Sequence, residues 1–390
     1  MLVALSNTPR DYAWGSPTLL AELEGRVPTG APEAEVWFGD HPGSPARVLD
    51  GSQRTLDEWL PAVDGAPERL PYLLKLLAAG SPLSIQVHPS KEQAVRGFAD
   101  EEAAGVPRDA ASRNYKDDNH KPEVIVALSE TFTALAGLRD LDQTRRLVAG
   151  LGDAAGVTAL RDRLAAAEPD AALRDAIGWA LAEATAAEIE QIVEGAASAS
   201  SPEFAAEAAL VRHLREEYPG DAGIVVALLM NLVELRRGEA IFVPAGVLHA
   251  YVAGLGVEIM AASDNVLRGG LTPKHIDVPE LLGLVDFHPA AAPRLAPRAD
   301  GDGVELFAPG IADFALAHVA TSAEASRVEL RGVSIAVGVA GEAAVTGASG
   351  TSLRLAPGQA ALATAEESPL VVSGGEVFVA MPGEGVATRR

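Results

Sequence analysis

The sequence predicts a mainly β protein interrupted by one helical insertion, and three changes of texture along the chain predict it. Residues 1–137 are short apolar segments such as "EVWFGDHP" and "YLLKLLAAGSPLSIQVHP", punctuated by Pro and Gly as strands and turns are. Residues 138–221 instead carry apolar side chains three and four apart, as in "LRDLDQTRRLVAGLG" and "PDAALRDAIGWALAEATAAEIEQIVEGAA", the period of amphipathic helices. Residues 222–295 lead back into strands, and 296–390 read as a second all-β region of Gly-separated alternating segments such as "RVELRGVSIAVGVAG".

Each element has a local reason. In "SIQVHP" a two-residue period puts Gln86 and His88 on one face of a short strand. The polar stretch "EEAAGVPRDAASRNYKDDNHKPEV" reads as a loop before the strand "EVIVALS". Asp221 is placed to cap a helix over "AGIVVALLMNLVEL". Turns at "PAG" and "GLG" bound strands within 237–260. A faint internal repeat lays "GEAIFVPAGVLHAY" from Gly238 over "GQAALATAEESPLV" from Gly358, so that His249 falls on Pro369.

Composition narrows the function classes. With 390 residues, two or three cores are expected rather than one. The formal charge of -23, from 54 acidic and 31 basic residues, repels nucleic acid and anionic lipid surfaces. A site for an anion must therefore gather its Lys and Arg locally. The sequence has no cysteine, so any metal is held by His, carboxylate or amide groups. The start "MLVALSNTPRDYAWG" lacks the basic and apolar regions of a signal peptide, and the longest uncharged apolar stretch, residues 222–233, is too short to span a bilayer. A cytoplasmic protein is the expectation, with no membrane and no nucleic acid among its partners.

The most specific string is "GEAIFVPAGVLHAYV", in which Gly and Pro turn the chain between two strands and deliver His249. It resembles the second motif of the cupin (jelly-roll) β-barrels, with Ala253 where that motif ends in Asn. Cupins commonly add an H-x-H pair, and Gln86-Val87-His88 stands in its place. For the carboxylate, spacing alone favours Glu92, four residues after His88, and Glu123 in "KPEV" is the alternative.

Six ordered motifs extend the likeness: "YAWG", "EVWFGDHP", "SIQVHP", "YKDDNHKPE", "FVPAGVLHAY" and "SDNVLRGGLTPKH". Together they resemble the type I mannose-6-phosphate isomerases over roughly residues 5–280. The resemblance implies a catalytic cupin barrel in two parts, 1–137 and 222–295, a helical domain at 138–221 and a degenerate cupin-like domain at 296–390. It implies one zinc ion per chain on Gln86, His88, Glu123 and His249, and a monomer acting on a small sugar phosphate. The activity implied is interconversion of mannose 6-phosphate and fructose 6-phosphate through an enediolate.

That chemistry assigns further roles. Arg268 suits the developing oxyanion, because its charge is permanent and its fork holds two oxygens. His120, Lys121, Glu258 and Asp264 are the candidates to carry the proton. Trp14, Glu35 and Tyr251 are expected around the sugar. The phosphate needs donors, and Lys75, Lys121, Arg268, Lys274 and Ser84 can supply them. His41, His213, His275, His288 and His318 are read as surface or structural. An iron-dependent cupin dioxygenase is disfavoured by the phosphate donors, and a non-catalytic sugar-binding cupin by the complete ligand set. No Gly-rich nucleotide loop is present.

Overall fold

The computed structural model describes residues 1–320 and 324–384, so 385–390 of the expected C-terminal β region lie outside the described residues. The molecule is mostly β-sheet with several helices, as expected of a cupin-type chain. Among the described residues the strands form sheets of ten, eight and four strands. No helix among them is long and apolar enough to cross a membrane.

The ten-stranded sheet is two half-sheets joined by the long strand His249–Ala261. The first part of that strand pairs with Gln86–Val87 and Thr131–Leu138, the second with Tyr72–Ala79 and Glu123–Ala127. Side chains of both halves, among them Leu77, Ile125, Phe132, Val233 and Tyr251, pack into a shared interior. Alternation decides the rest. Glu123, Ile125 and Ala127 belong to this interior, while Val124 and Val126 join a different core on the other face.

Strict alternation along His249–Ala261 would send Glu258 to the face opposite His249. The pairing register shifts between Tyr251 and Ala253. Such a bulge resets the phase, and His249, Tyr251 and Glu258 all face one cavity.

The outer face of Tyr72–Ala79 is apolar, whereas its inner face carries Lys75. Tyr72, Leu74 and Leu76 pack with Phe307, Phe314, Ile335, Leu362 and Phe378 of the eight-stranded sheet. Each such side chain, fully buried, contributes about 1.5–3 kcal/mol. The Tyr72 hydroxyl donates to the carbonyls of Val333 and Ala380 at 3.0 and 3.2 Å, tying the layers together. A third core, with Val304, Val345, Leu370 and Met381, fills the space between the eight- and four-stranded sheets.

Four elements differ from the sequence reading. Leu2–Ser6, expected with the first β region, pairs with Ala360–Ala363 in the eight-stranded sheet. Its Leu5 and Leu2 are buried in two different cores, so its apolar pattern could not name its partner. Lys91–Ala103 is a helix inside a segment read as strands and turns, and Ser90 caps it by accepting from Gln93 N. The helix after Asp221 stops at Leu229, and Met230–Arg236 is a strand. In that strand buried Val233 and Leu235 alternate with exposed Glu234 and Arg236, a two-residue period hidden by the apolar run before it. Finally, Asp221 accepts from Gly223 N at 2.7 Å, but its other bonds leave the helix.

The helices Leu141–Ala149, Ala155–Leu164, Pro169–Ala182, Ala186–Ala197 and Ala205–Glu217 follow one another, and their apolar faces share a core with Ile85, Val87 and Leu248 on the outer side of the first half-sheet. Thr185 and Glu188 form a capping box at one of their starts.

Candidate metal centre and cavity

Gln86 sits in the middle of a row across three strands. It is paired with His249 on one side and Arg268 on the other. Two residues along, His88 is fully buried, and its Nδ1 lies 2.7 Å from the Asn265 carbonyl. A ring nitrogen facing a carbonyl carries the proton, so Nε2 presents its lone pair. Burial pushes His88 down to about 4, which keeps the ring neutral.

That lone pair points at a carboxylate. His88 Nε2 is 3.3 Å from Glu123 Oε1, and His249 Nε2 is 3.3 Å from Glu123 Oε2. Burial alone would raise the Glu123 pKa, but the Lys121 charge leads the effects that overcome this and hold it well below the usual carboxylate range. An unprotonated nitrogen facing an ionised oxygen is unfavourable unless a cation lies between them. His88 Nε2 has no hydrogen-bond partner. One ligand atom from each of His88, Glu123 and His249 lies within 4.8 Å of the others, so the three can hold one metal ion. Two imidazoles and a carboxylate suit zinc. The Gln86 amide nitrogen donates to Ser84 Oγ at 3.2 Å, and its oxygen is spare. Glu92, the alternative ligand by spacing, is exposed in the first turn of a helix and accepts from Ser90 Oγ at 3.0 Å.

Beside this centre lies a cavity of ≈ 410 Å³. It is lined by Trp14, Glu35, Lys75, Ser84, Gln86, Lys121, Glu123, His249, Tyr251, Glu258, Arg268 and Lys274 among others. Its charges fall into two groups. Lys75 Nζ bridges Glu35 at 3.3 Å and Glu258 at 3.0 Å, and Lys121 Nζ is 3.0 Å from Glu123. Burial would strip Lys75 of its proton, but Glu258 and Glu35 hold it firmly charged. Burial in turn raises the Glu258 pKa, with Lys75 opposing. Arg268 and Lys274 have no ion-pair partner among the described residues. The Lys274 pKa is lowered by partial burial and by the nearby charges of Arg268 and Lys116. An anion entering the cavity would find these two cations, Arg268 and Lys274, uncommitted.

Two of the proton-transfer candidates do not line the cavity. His120 Nε2 is 3.0 Å from Asp313 Oδ2, a residue between strands of the eight-stranded sheet. Asp264 Oδ2 is 3.1 Å from His41 Nε2 and borders a smaller cavity of ≈ 200 Å³. His318, read as surface or structural, is buried between Glu305 and Glu376. Sequence reasoning missed several lining residues. Tyr12 stacks on Trp14 at 5.8 Å within the quoted "YAWG" region. Tyr218 arrives from the end of the helix Ala205–Glu217, and Leu271 and Thr272 come from the loop after Arg268. No local motif marks Tyr218 as anything but a helix end.

Comparison with known proteins bears on this geometry. The family model for the phosphomannose isomerase type I catalytic domain matches residues 2–141. The chain is 38% identical to the mannose-6-phosphate isomerase of Escherichia coli (strain K12), over 95% of this chain and 96% of that one. It is 32% identical to the mannose-6-phosphate isomerase of Homo sapiens, over 80% of each. Among solved structures, the Salmonella typhimurium mannose 6-phosphate isomerase bound to its substrate f6p and zinc matches with a TM-score of 0.87 at 34% identity, covering 98% of this chain and 99% of that one. A zinc-bound mannose 6-phosphate isomerase matches with a TM-score of 0.86 at 35% identity and the same coverage.

Proposed function

The chain belongs to the type I phosphomannose isomerases, and from that premise we propose that it interconverts mannose 6-phosphate and fructose 6-phosphate with one zinc ion. The observation that carries this reading is one cavity lined by both a candidate metal centre and uncommitted cations. Beside it His88 and His249 converge on Glu123, and its lining includes Arg268 and Lys274, which have no ion-pair partner among the described residues. His88, Glu123 and His249 would hold the ion, with the Gln86 amide oxygen as the fourth donor. The ion, when bound, supplies Lewis-acid stabilisation of negative charge on the sugar.

The chain's own groups supply the rest. Isomerisation moves one proton between C1 and C2 and another between O1 and O2. We assign the carbon-to-carbon transfer to a Glu258 carboxylate oxygen, because burial makes it more basic than an ordinary carboxylate and Lys75 holds it in place. Lys121 adds positive charge beside the ligands. Arg268 stabilises the enediolate oxygen as charge develops. Lys274 and the Ser84 hydroxyl, with the second face of the Arg268 fork, receive the phosphate. Trp14, Glu35 and Tyr251 shape the sugar pocket. His120 and Asp264, engaged with Asp313 and His41, act at one remove.

We further divide the chain into a catalytic barrel (1–137 with 222–295), a helical domain (138–221) and a C-terminal cupin-like domain (296–390). Leu2–Ser6 belongs structurally to the last. We infer a cytoplasmic location, since a phosphate dianion does not cross a bilayer unaided, and a monomer on the family resemblance alone. A coupled assay on mannose 6-phosphate, with and without chelator and then with zinc restored, tests the function. Activity unchanged in a preparation shown by metal analysis to lack zinc overturns it.

A further inference from the structure

The loop that follows Arg268 is built under unusual constraint. Leu271 is buried, yet it adopts φ 55, a left-handed backbone that a branched apolar residue rarely takes. Directly before it, Gly270 crosses Gly223 backbone to backbone. A Cβ on Gly270 would lie 2.2 Å from Gly223 Cα, and one on Gly223 would lie 2.5 Å from Leu271 N. Only two glycines permit that approach.

One side chain holds the crossing together. Asp221, between the helices Ala205–Glu217 and Gly223–Leu229, accepts from three backbone N–H groups. Its Oδ1 takes Gly223 N at 2.7 Å and Leu271 N at 3.0 Å, and its Oδ2 takes Thr272 N at 3.0 Å. Leu271, Thr272, Pro273 and Lys274 all line the cavity, as does Arg268. The neighbouring Tyr218 lines the same cavity, and its hydroxyl donates to the Pro82 carbonyl at 2.6 Å, two residues before Ser84. The end of the helical segment is thus fastened to both backbone stretches that carry the anion-facing groups.

We propose that Asp221 is a positioning residue that fixes the loop 270–274 in its strained form and thereby sets the affinity of the cavity for the phosphorylated end of the substrate. This rests on the isomerase reading for its ligand, not for its geometry. Asp221 touches no substrate. It acts through the Thr272 and Leu271 amides, whose release lets Leu271 relax to negative φ and carries Lys274 away.

The test uses the full-length zinc-loaded protein and two variants. Asp221→Ala should raise KM for mannose 6-phosphate about tenfold, and the inhibition constant of inorganic phosphate similarly, while kcat changes less than about twofold. Asp221→Asn keeps the Oδ1 acceptor and should recover part of that loss. Amide hydrogen exchange at Leu271 and Thr272 should speed up in Asp221→Ala while Val124 and Ile259 stay protected. Exchange is read whether or not the wild type turns over mannose 6-phosphate, so an inactive wild type overturns the isomerase reading while exchange still decides this one. Unchanged exchange at Leu271 and Thr272 overturns the proposal. So does a fall in kcat with KM and phosphate inhibition intact, or a global loss of protection with no KM effect in Asp221→Asn.

Discussion

Lys75, Glu123, His249 and Glu258 face the interior of the ten-stranded sheet, whereas the matching interior between the eight- and four-stranded sheets is filled by Val304, Leu306, Val345, Leu370 and Met381. The backbones nevertheless run in parallel. Gly238 and Gly358 both turn at φ 84, and the strands Ala240–Val243 and Ala360–Ala363 each begin two residues later. The next strand begins at His249 in one region and at Leu370, beside Pro369, in the other. One strand plan thus accepts either an ionisable lining or an apolar filling. The plan positions a site, and the side chains at a few inward positions decide whether there is one.

The contrast can be pushed hardest at the metal centre. His88→Ala should lower kcat/KM by more than about 10³-fold and abolish zinc retention, a larger loss than the 10–100-fold typical of outer-shell partners. Retention of stoichiometric zinc with full activity would break the comparison. Arg268→Ala should cost about 10²–10³ in kcat with little change in melting temperature, as for loss of a transition-state donor; an effect confined to KM would move Arg268 to substrate binding alone. The apolar side should answer differently. Leu370→Ala, in the filled interior, should destabilise by about 2–5 kcal/mol in denaturant titration while kcat of the folded protein is unchanged.

Two further experiments probe where the regions touch. Asp313→Ala frees His120, next to Lys121 and close to Glu123, and should lower activity about tenfold without loss of fold, as for outer-shell partners. No change would show the second region to be chemically inert. The smallest effect is one of pH. His318 is hydrogen-bonded at both nitrogens, to Glu376 at 3.0 Å and Glu305 at 3.2 Å, and Glu376 also pairs with Arg237. Burial opposes its charge, but the two carboxylates win and raise its pKa. The stability it lends is therefore full below about 6.5, its unfolded value, and fades as pH climbs through the raised folded value. His318→Gln should flatten that part of the stability–pH curve; an identical slope would rule the pair out as its source.

Much of this was legible in the residues. The Gln86/His88 alternation and the turn before His249 announce a shared face, and the texture change near residue 138 announces helices. The choice of Glu123 over Glu92 was not available from spacing, since Glu92 has the shorter reach in sequence but sits on a helix that no strand pattern foretold. Glu258 reaches the cavity only because the strand slips phase at Tyr251, and a bulge leaves no mark in an apolar run. Asp221 could be read as a helix cap, but its two bonds to residues fifty positions away are tertiary facts. Likewise the short Leu2–Ser6 strand carries no clue to a partner more than three hundred residues distant.

The strand Tyr72–Ala79 has no solvent side: Lys75 and Leu77 look into the reaction chamber and Leu74 and Leu76 into the neighbouring sheet. A gene trimmed to its catalytic portion would strip one wall of that strand bare, and the product would stick to itself before it could turn over sugar. The eight-stranded sheet is thus the dry backing of the sheet that carries the cavity.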